Sequence, residues 1–308
     1  MHVMSAVLRT LVAPAAAQLR RWVLGAFPRG QSGIEYDLPQ GDPGLFGPGS
    51  VTWRVHAEFP GMLAGGLCAL MLQTLHPRAL AAVYDHSRFR EDLVGRLRRT
   101  TNFVAGTTYA PTLEADKLIA HVRAIHARID GFTADGQAYR ADDPALLTWV
   151  HVTEAYGFLE GCRRYGRQVP ASIADRYYDE VRRVAEALGA TEVPASEAAV
   201  AAYFAQVLPQ LRMDERSREV LDVLGRAQLP VPAAGMSRDV FLGAGAALLP
   251  DWACGLLGRT AWQRRRDRAA ARMMRAMAPL FRAALPDGLA PRACRRVGVA
   301  PQVLQRWP

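Results

Sequence analysis

Lysine is almost missing from this chain: Lys117 is the only one among 38 Lys and Arg residues. Amine chemistry therefore has a single candidate, and positive charge elsewhere rests on guanidinium groups that stay protonated. The four cysteines, Cys68, Cys162, Cys254 and Cys294, form no CxxC or other metal spacing, which excludes a zinc-ribbon or disulfide framework and leaves reduced, buried thiols. No uninterrupted apolar run reaches membrane-spanning length. Met62 to Leu75 is too short, and Val240 to Gly258 is broken by Pro250 and Asp251, so both read as core or surface-lying segments. HExxH, GxSxG, a Walker loop and a GxGxxG after a strand are all absent, so zinc hydrolase, serine hydrolase, P-loop and Rossmann readings lose their usual support. Paired Glu-x-x-His motifs are absent too, which argues against a di-iron carboxylate bundle.

What remains is a chain of 308 residues, half of them hydrophobic, with a formal charge of +9. That length and apolar content suffice for a real core. The charge permits an anionic membrane surface or a carboxylate-bearing ligand. The sequence lacks the arginine-aromatic platform of a single-strand binder, and no nucleic acid is expected. The first 22 residues faintly imitate a signal peptide, but Arg9 interrupts a short apolar run and no basic region precedes it. Residues 1–38 read as an amphipathic N-terminal arm, residues 39–308 as one helical domain, and the location as cytoplasmic with membrane association permitted. The basic run WQRRRDRAAARMMR from Trp262 reads as a solvated helix or as a peripheral contact with lipid headgroups.

The punctuation is helical. Pro39 to Gly49 is a loop, and Pro77 should interrupt the Met62 to Leu75 helix after His76. Pro111, Thr112 and Glu114 start a helix expected over 113–130, with Gly131 ending it. On it Leu118, Val122, Ile125 and Ile129 share the apolar face, His126 lies on its flank and His121 on the opposite flank. Asp135-Gly136 marks a small hairpin. Asp143-Pro144 then opens a helix to about Gly166, on which Leu147, His151, Glu154 and Phe158 form one stripe. The expected fold is all-α, a single domain with helices around a central pocket.

All seven histidines, from His2 to His151, lie in the first half of the chain, and so should any chemistry. His56-Ala-Glu58 offers the beginning of a facial triad and lacks a third ligand. Haem asks for less: one neutral imidazole on a helix, an apolar slot and cationic groups for its propionates. His126, with Arg123 three residues before it, meets that need; a satisfied structural histidine is the plainer alternative.

The runs TLHPRALAAVYDHSRFREDLVGRLRRTTNFVAGTTYA, VRAIHARIDG and DDPALLTWVHVTEAYGFLEGCRRYG resemble the family joining rubber oxygenases (latex clearing proteins) with MpaB-type oxygenases, over roughly residues 40–270. The resemblance implies a globin-like helical core, haem b, and iron-dependent oxygen chemistry on a small hydrophobic substrate, isoprenoid in the best-known members. It implies His126 as proximal iron ligand with Arg123 beside it, and Arg96 and Thr100 as polar distal-side groups. Where rubber oxygenases carry a distal lysine this chain has Arg99, which ligates iron poorly and would instead hydrogen-bond dioxygen or a carboxylate. Glu58, Glu91 and Glu154 are candidates for the catalytic carboxylate, and only Glu154 has a helix-face argument. His76 and His151 are candidates for the cofactor pocket, and the redox partner is open. Two rival readings stand beside the haem oxygenase: a non-catalytic haem carrier or gas sensor, and a membrane-surface helical protein without haem.

Overall fold

A computed structural model describes residues 14, 16–25, 33–228 and 234–308. The tip of the expected arm, residues 1–13, lies outside the described residues. Helix α1 (16–25) buries Ala16 and Leu19 against the main core. The proline- and glycine-rich stretch Pro39 to Gly49 has neither helix nor strand, as expected.

Capping chemistry sets the boundaries that follow. Ser50 accepts the Trp53 amide to open α2 (Val51–His56), and Pro60 sits in the first turn of α3 (Phe59–Gln73). The chain breaks before Pro77, where His76 caps α4 (Pro77–His86). Asp92 accepts the Gly95 amide at the start of α5 (Leu93–Tyr109), and α6 follows (Thr112–His126). Strands β1 (Asp130–Phe132) and β2 (Ala138–Arg140) pair antiparallel, Gly131 opposite Tyr139, around Gly136 at φ 81. Asp143 caps α7 (Pro144–Gly161), which runs into a π-helical turn, Cys162–Gly166. Gly189, at φ 110, closes α8 (Ala171–Leu188). The remainder is α9 (Glu197–Val207), α10 (Glu215–Arg226), α11 (Ala234–Ala246), α12 (Asp251–Leu256), α13 (Ala261–Ala284) and α14 (Leu289–Arg296). The fold is all-α with one small hairpin, and among the described residues no helix is long and apolar enough to cross a membrane.

One boundary differs from expectation. Helix α6 ends at His126, and Gly131 lies inside β1. The hairpin wins because its ladder, together with the Ala141 amide donating to the Ile129 carbonyl, takes the backbone groups a further helical turn needs. Ile125, expected on the apolar face, is 40% exposed.

Helices α3 and α7 form the centre. Gly61 and Gly65 on one face Gly161 and Gly157 on the other, so closely that a Cβ on Gly65 would stand 2.3 Å from the Gly157 carbonyl oxygen. Two GxxxG spacings, back to back, let the two backbones touch. Around this pair the main core gathers Leu72, Trp149, Leu159, Tyr177 and Met274. A second cluster, with Trp53, Tyr109 and Cys294, joins α2, α5 and α14.

Two buried arginines tie the loops to this second cluster. Arg296, with no exposed surface, donates to the carbonyls of Asp42 (2.7 Å), Tyr36 (2.8 Å), Tyr109 (2.7 Å) and Ala110 (3.4 Å). Arg54 donates to those of Pro48, Ser50, Val303 and Arg306. Each guanidinium is satisfied by backbone alone, as a buried charge requires.

Candidate functional site

Helices α2, α5, α7 and α8 bring polar side chains together in the interior. His56, the last residue of α2, places Nδ1 2.8 Å from Thr108 Oγ1 on α5 and Nε2 3.0 Å from the Tyr177 hydroxyl on α8. Thr108 spends its own hydroxyl proton on the Val104 carbonyl, 2.6 Å away. His56 must therefore donate from Nδ1 to Thr108, and Tyr177 must donate to Nε2. Burial, and then the charge of His151, depress the His56 pKa to about 3, so the ring stays neutral. With both nitrogens engaged, His56 is a fixed wall of the site; the Phe158 ring meets it edge-on at 5.3 Å.

Leu147, His151, Glu154 and Phe158 occupy the stripe expected on α7. Most of this helix is buried, yet His151 and Glu154 are only half-buried. Burial alone depresses His151 to about 4 and raises Glu154 to about 7. Both groups thus lie deep enough for desolvation to shift them while keeping some accessible surface. Among the described residues neither side chain makes a hydrogen bond or an ion pair. At neutral pH the site thus offers an unprotonated imidazole and, about one helical turn away, a carboxyl near its midpoint.

His126 stands at the C-terminal end of α6, half-buried. Its Nδ1 is fully buried without a partner, and burial lowers its pKa against a smaller opposing pull from Asp142. An imidazole held neutral and unpartnered is the state that binds a metal. Arg96 on α5 is half-buried, its side chain makes no hydrogen bond among the described residues, and its pKa is lowered by burial first and by Arg99 second. The other residues singled out from the sequence lie elsewhere. Arg99 is exposed and pairs with Asp92 at 3.4 Å. Thr100 is exposed and donates to the Arg96 carbonyl of its own helix. Arg123 is exposed. His76 accepts the Ala79 amide and lays its ring 5.8 Å from Trp149; burial, then Arg78, depress its pKa to about 4. Glu58 binds Arg282 at 3.1 Å, which breaks up the His56-Ala-Glu58 pairing, and Glu91 is exposed.

Among the described residues no three His, Cys, Asp or Glu side chains converge on one point. The donors present suit a group that needs a single protein ligand better than a metal held by three. The Thr108, His56 and Tyr177 chain was missed in the sequence because its links span 52 and 121 residues.

The sequence profile of a family described as "ER-bound oxygenase mpaB/B'/Rubber oxygenase, catalytic domain" matches residues 53–306. No curated protein and no solved structure matches the chain.

Proposed function

This chain belongs to the family of MpaB and rubber oxygenase catalytic domains and is an oxygenase, and from that premise we propose that it works with haem b on a small hydrophobic substrate. The observation that carries the reading is the buried Nδ1 of His126 without a partner, beside three half-buried side chains, His151, Glu154 and Arg96, that have none among the described residues and whose pKa values burial shifts. A native interior seldom leaves such groups unsatisfied unless a ligand completes them.

These residues fit haem. His126 is the neutral imidazole that would hold the iron, and Arg96 the free guanidinium that would neutralise a propionate. Bound there, haem supplies an iron atom that binds and activates dioxygen. The chain's own residues do the rest. His56, locked between Thr108 and Tyr177, and Phe158 offer a rigid surface against which an apolar molecule packs. Glu154, near its midpoint at neutral pH, accepts or returns a proton at its carboxylate. His151, uncharged, takes a hydrogen bond without placing a positive charge beside the substrate. Arg99, Thr100 and Arg123 are left at the surface in this reading.

The test is oxygen consumption by haem-loaded protein with a reductant and a panel of terpenoids, isoprenoids being the first substrates to try. Product formed faster than by free haem, and slowed in Glu154→Gln, supports the proposal. Turnover no greater than that of free haem across the panel favours a carrier or sensor.

A further inference from the structure

Helix α13 carries seven arginines against one aspartate, and that aspartate, Asp267, is on the buried face in a salt bridge with Arg259. At 100° per residue, Asp267, Ala271, Met274 and Ala278 define the face packed on the protein. The opposite side is unusual for a solvated helix. Trp262 (62% exposed), Ala269, Met273 (51% exposed) and Ala276 fall within about 60° and form an apolar crest. Arg265, Arg268, Arg272 and Arg275 line one flank of the crest within about 80°. All four are exposed, and among the described residues none of their side chains makes a hydrogen bond or ion pair. Arg266 lies on the other flank, its guanidinium 4.8 Å from the Trp262 ring centroid. Near the start of the helix, Arg259, Ala261, Arg264, Arg265 and Arg268 line an open depression.

We infer that this face of α13 docks on an anionic membrane surface. An apolar crest with a row of arginines on one flank and Arg266 on the other matches the layering of a bilayer interface: tryptophan and methionine enter the acyl boundary while long arginine side chains reach back to headgroup phosphates. The crest spans about 21 Å at 1.5 Å per residue, enough to lie flat and too short to cross. Four unpaired cations on one flank find their complement in anionic headgroups, and the depression accepts one phosphate. A nucleic acid has no use for the tryptophan and methionine between the arginines. The inference is independent of the haem reading, since no α13 arginine enters it.

The experiment is co-sedimentation of the full chain with vesicles of phosphatidylcholine alone or mixed with phosphatidylglycerol. Binding to the mixed vesicles only, weakened by salt, is the expected result. Each arginine is expected to contribute roughly fivefold, so R265Q/R268Q/R272Q/R275Q should lose at least about a hundredfold in partitioning. Trp262→Ser should weaken binding at high salt, where the apolar contribution persists. Circular dichroism checks that both variants keep the fold. Equal binding to both vesicle types, or an unaffected quadruple variant, overturns the inference. So does a Trp262-independent affinity for a DNA oligonucleotide exceeding that for the vesicles, which would make the stripe a nucleic-acid surface.

Discussion

Two interior regions treat buried polarity in opposite ways. Arg54 and Arg296 each bind several backbone carbonyl oxygens, and the loops before α2 and after α14 are pinned by them. On α7, half-buried His151 and Glu154 have no partner among the described residues, and the Arg96 side chain and the buried Nδ1 of His126 also go unanswered. The same chain that answers Arg54 and Arg296 with carbonyl oxygens leaves His151, Glu154, Arg96 and His126 Nδ1 without partners among the described residues, and the Arg167 Nε beside Arg54 is the exception on the closed side. The difference separates polarity that holds the fold from polarity held ready for a ligand, because an unsatisfied buried group costs stability and persists where something else needs it.

Substitution should expose that difference most strongly at Arg296. Arg296→Met strands four buried carbonyls, and denaturant unfolding should record a loss of about 4 kcal/mol. A loss below about 1 kcal/mol would erase the contrast. Glu154→Gln should act in the opposite sense and with a pH signature. Folded Glu154 keeps its proton up to about pH 7, whereas the unfolded chain releases it near its ordinary value of 4.5. The native state therefore binds more protons across that window, and wild-type stability declines as pH rises through it. The variant should gain on wild type between pH 4.5 and 7, by at most about 3 kcal/mol, and hold that gain above pH 7. Urea midpoints measured at several pH values would reveal it, and a pH-independent difference would show that Glu154 does not titrate in the fold.

Arg96→Met sharpens the comparison from the other side. With no partner to strand, it should change cofactor-free stability by less than about 1 kcal/mol, and a gain is as consistent as a small loss. Haem affinity should nonetheless fall in a titration followed by absorbance. The smallest effect belongs to Arg99→Gln, whose exposed pair with Asp92 is worth less than about 0.5 kcal/mol, with oxygen turnover unchanged. A large loss of turnover there would return the distal role to Arg99.

Much of this fold is written locally. Pro77, Asp143-Pro144 and Asp135-Gly136 mark a helix break, a helix start and a hairpin, because each acts on its own backbone. The α7 stripe was legible for the same reason: periodicity alone puts His151 and Glu154 on one face. The end of α6 was not, since a strand pairing ten residues further on decided it. Nor was the role of His56, whose neighbour in sequence, Glu58, turns away to Arg282 while its true contacts come from α5 and α8. The glycine faces of α3 and α7 were equally hidden, because a close approach needs both helices at once.

The most direct test of the unpartnered polar groups as a cofactor site is the absorption spectrum of protein from haem-supplemented cells, oxidised and reduced, with pyridine extraction to identify and count the haem. The account predicts one b-type haem per chain, a spectrum that collapses in His126→Ala, and retention of the fold in that variant. A folded protein that takes up no haem even on reconstitution would contradict it, and so would a His126→Ala spectrum identical to wild type.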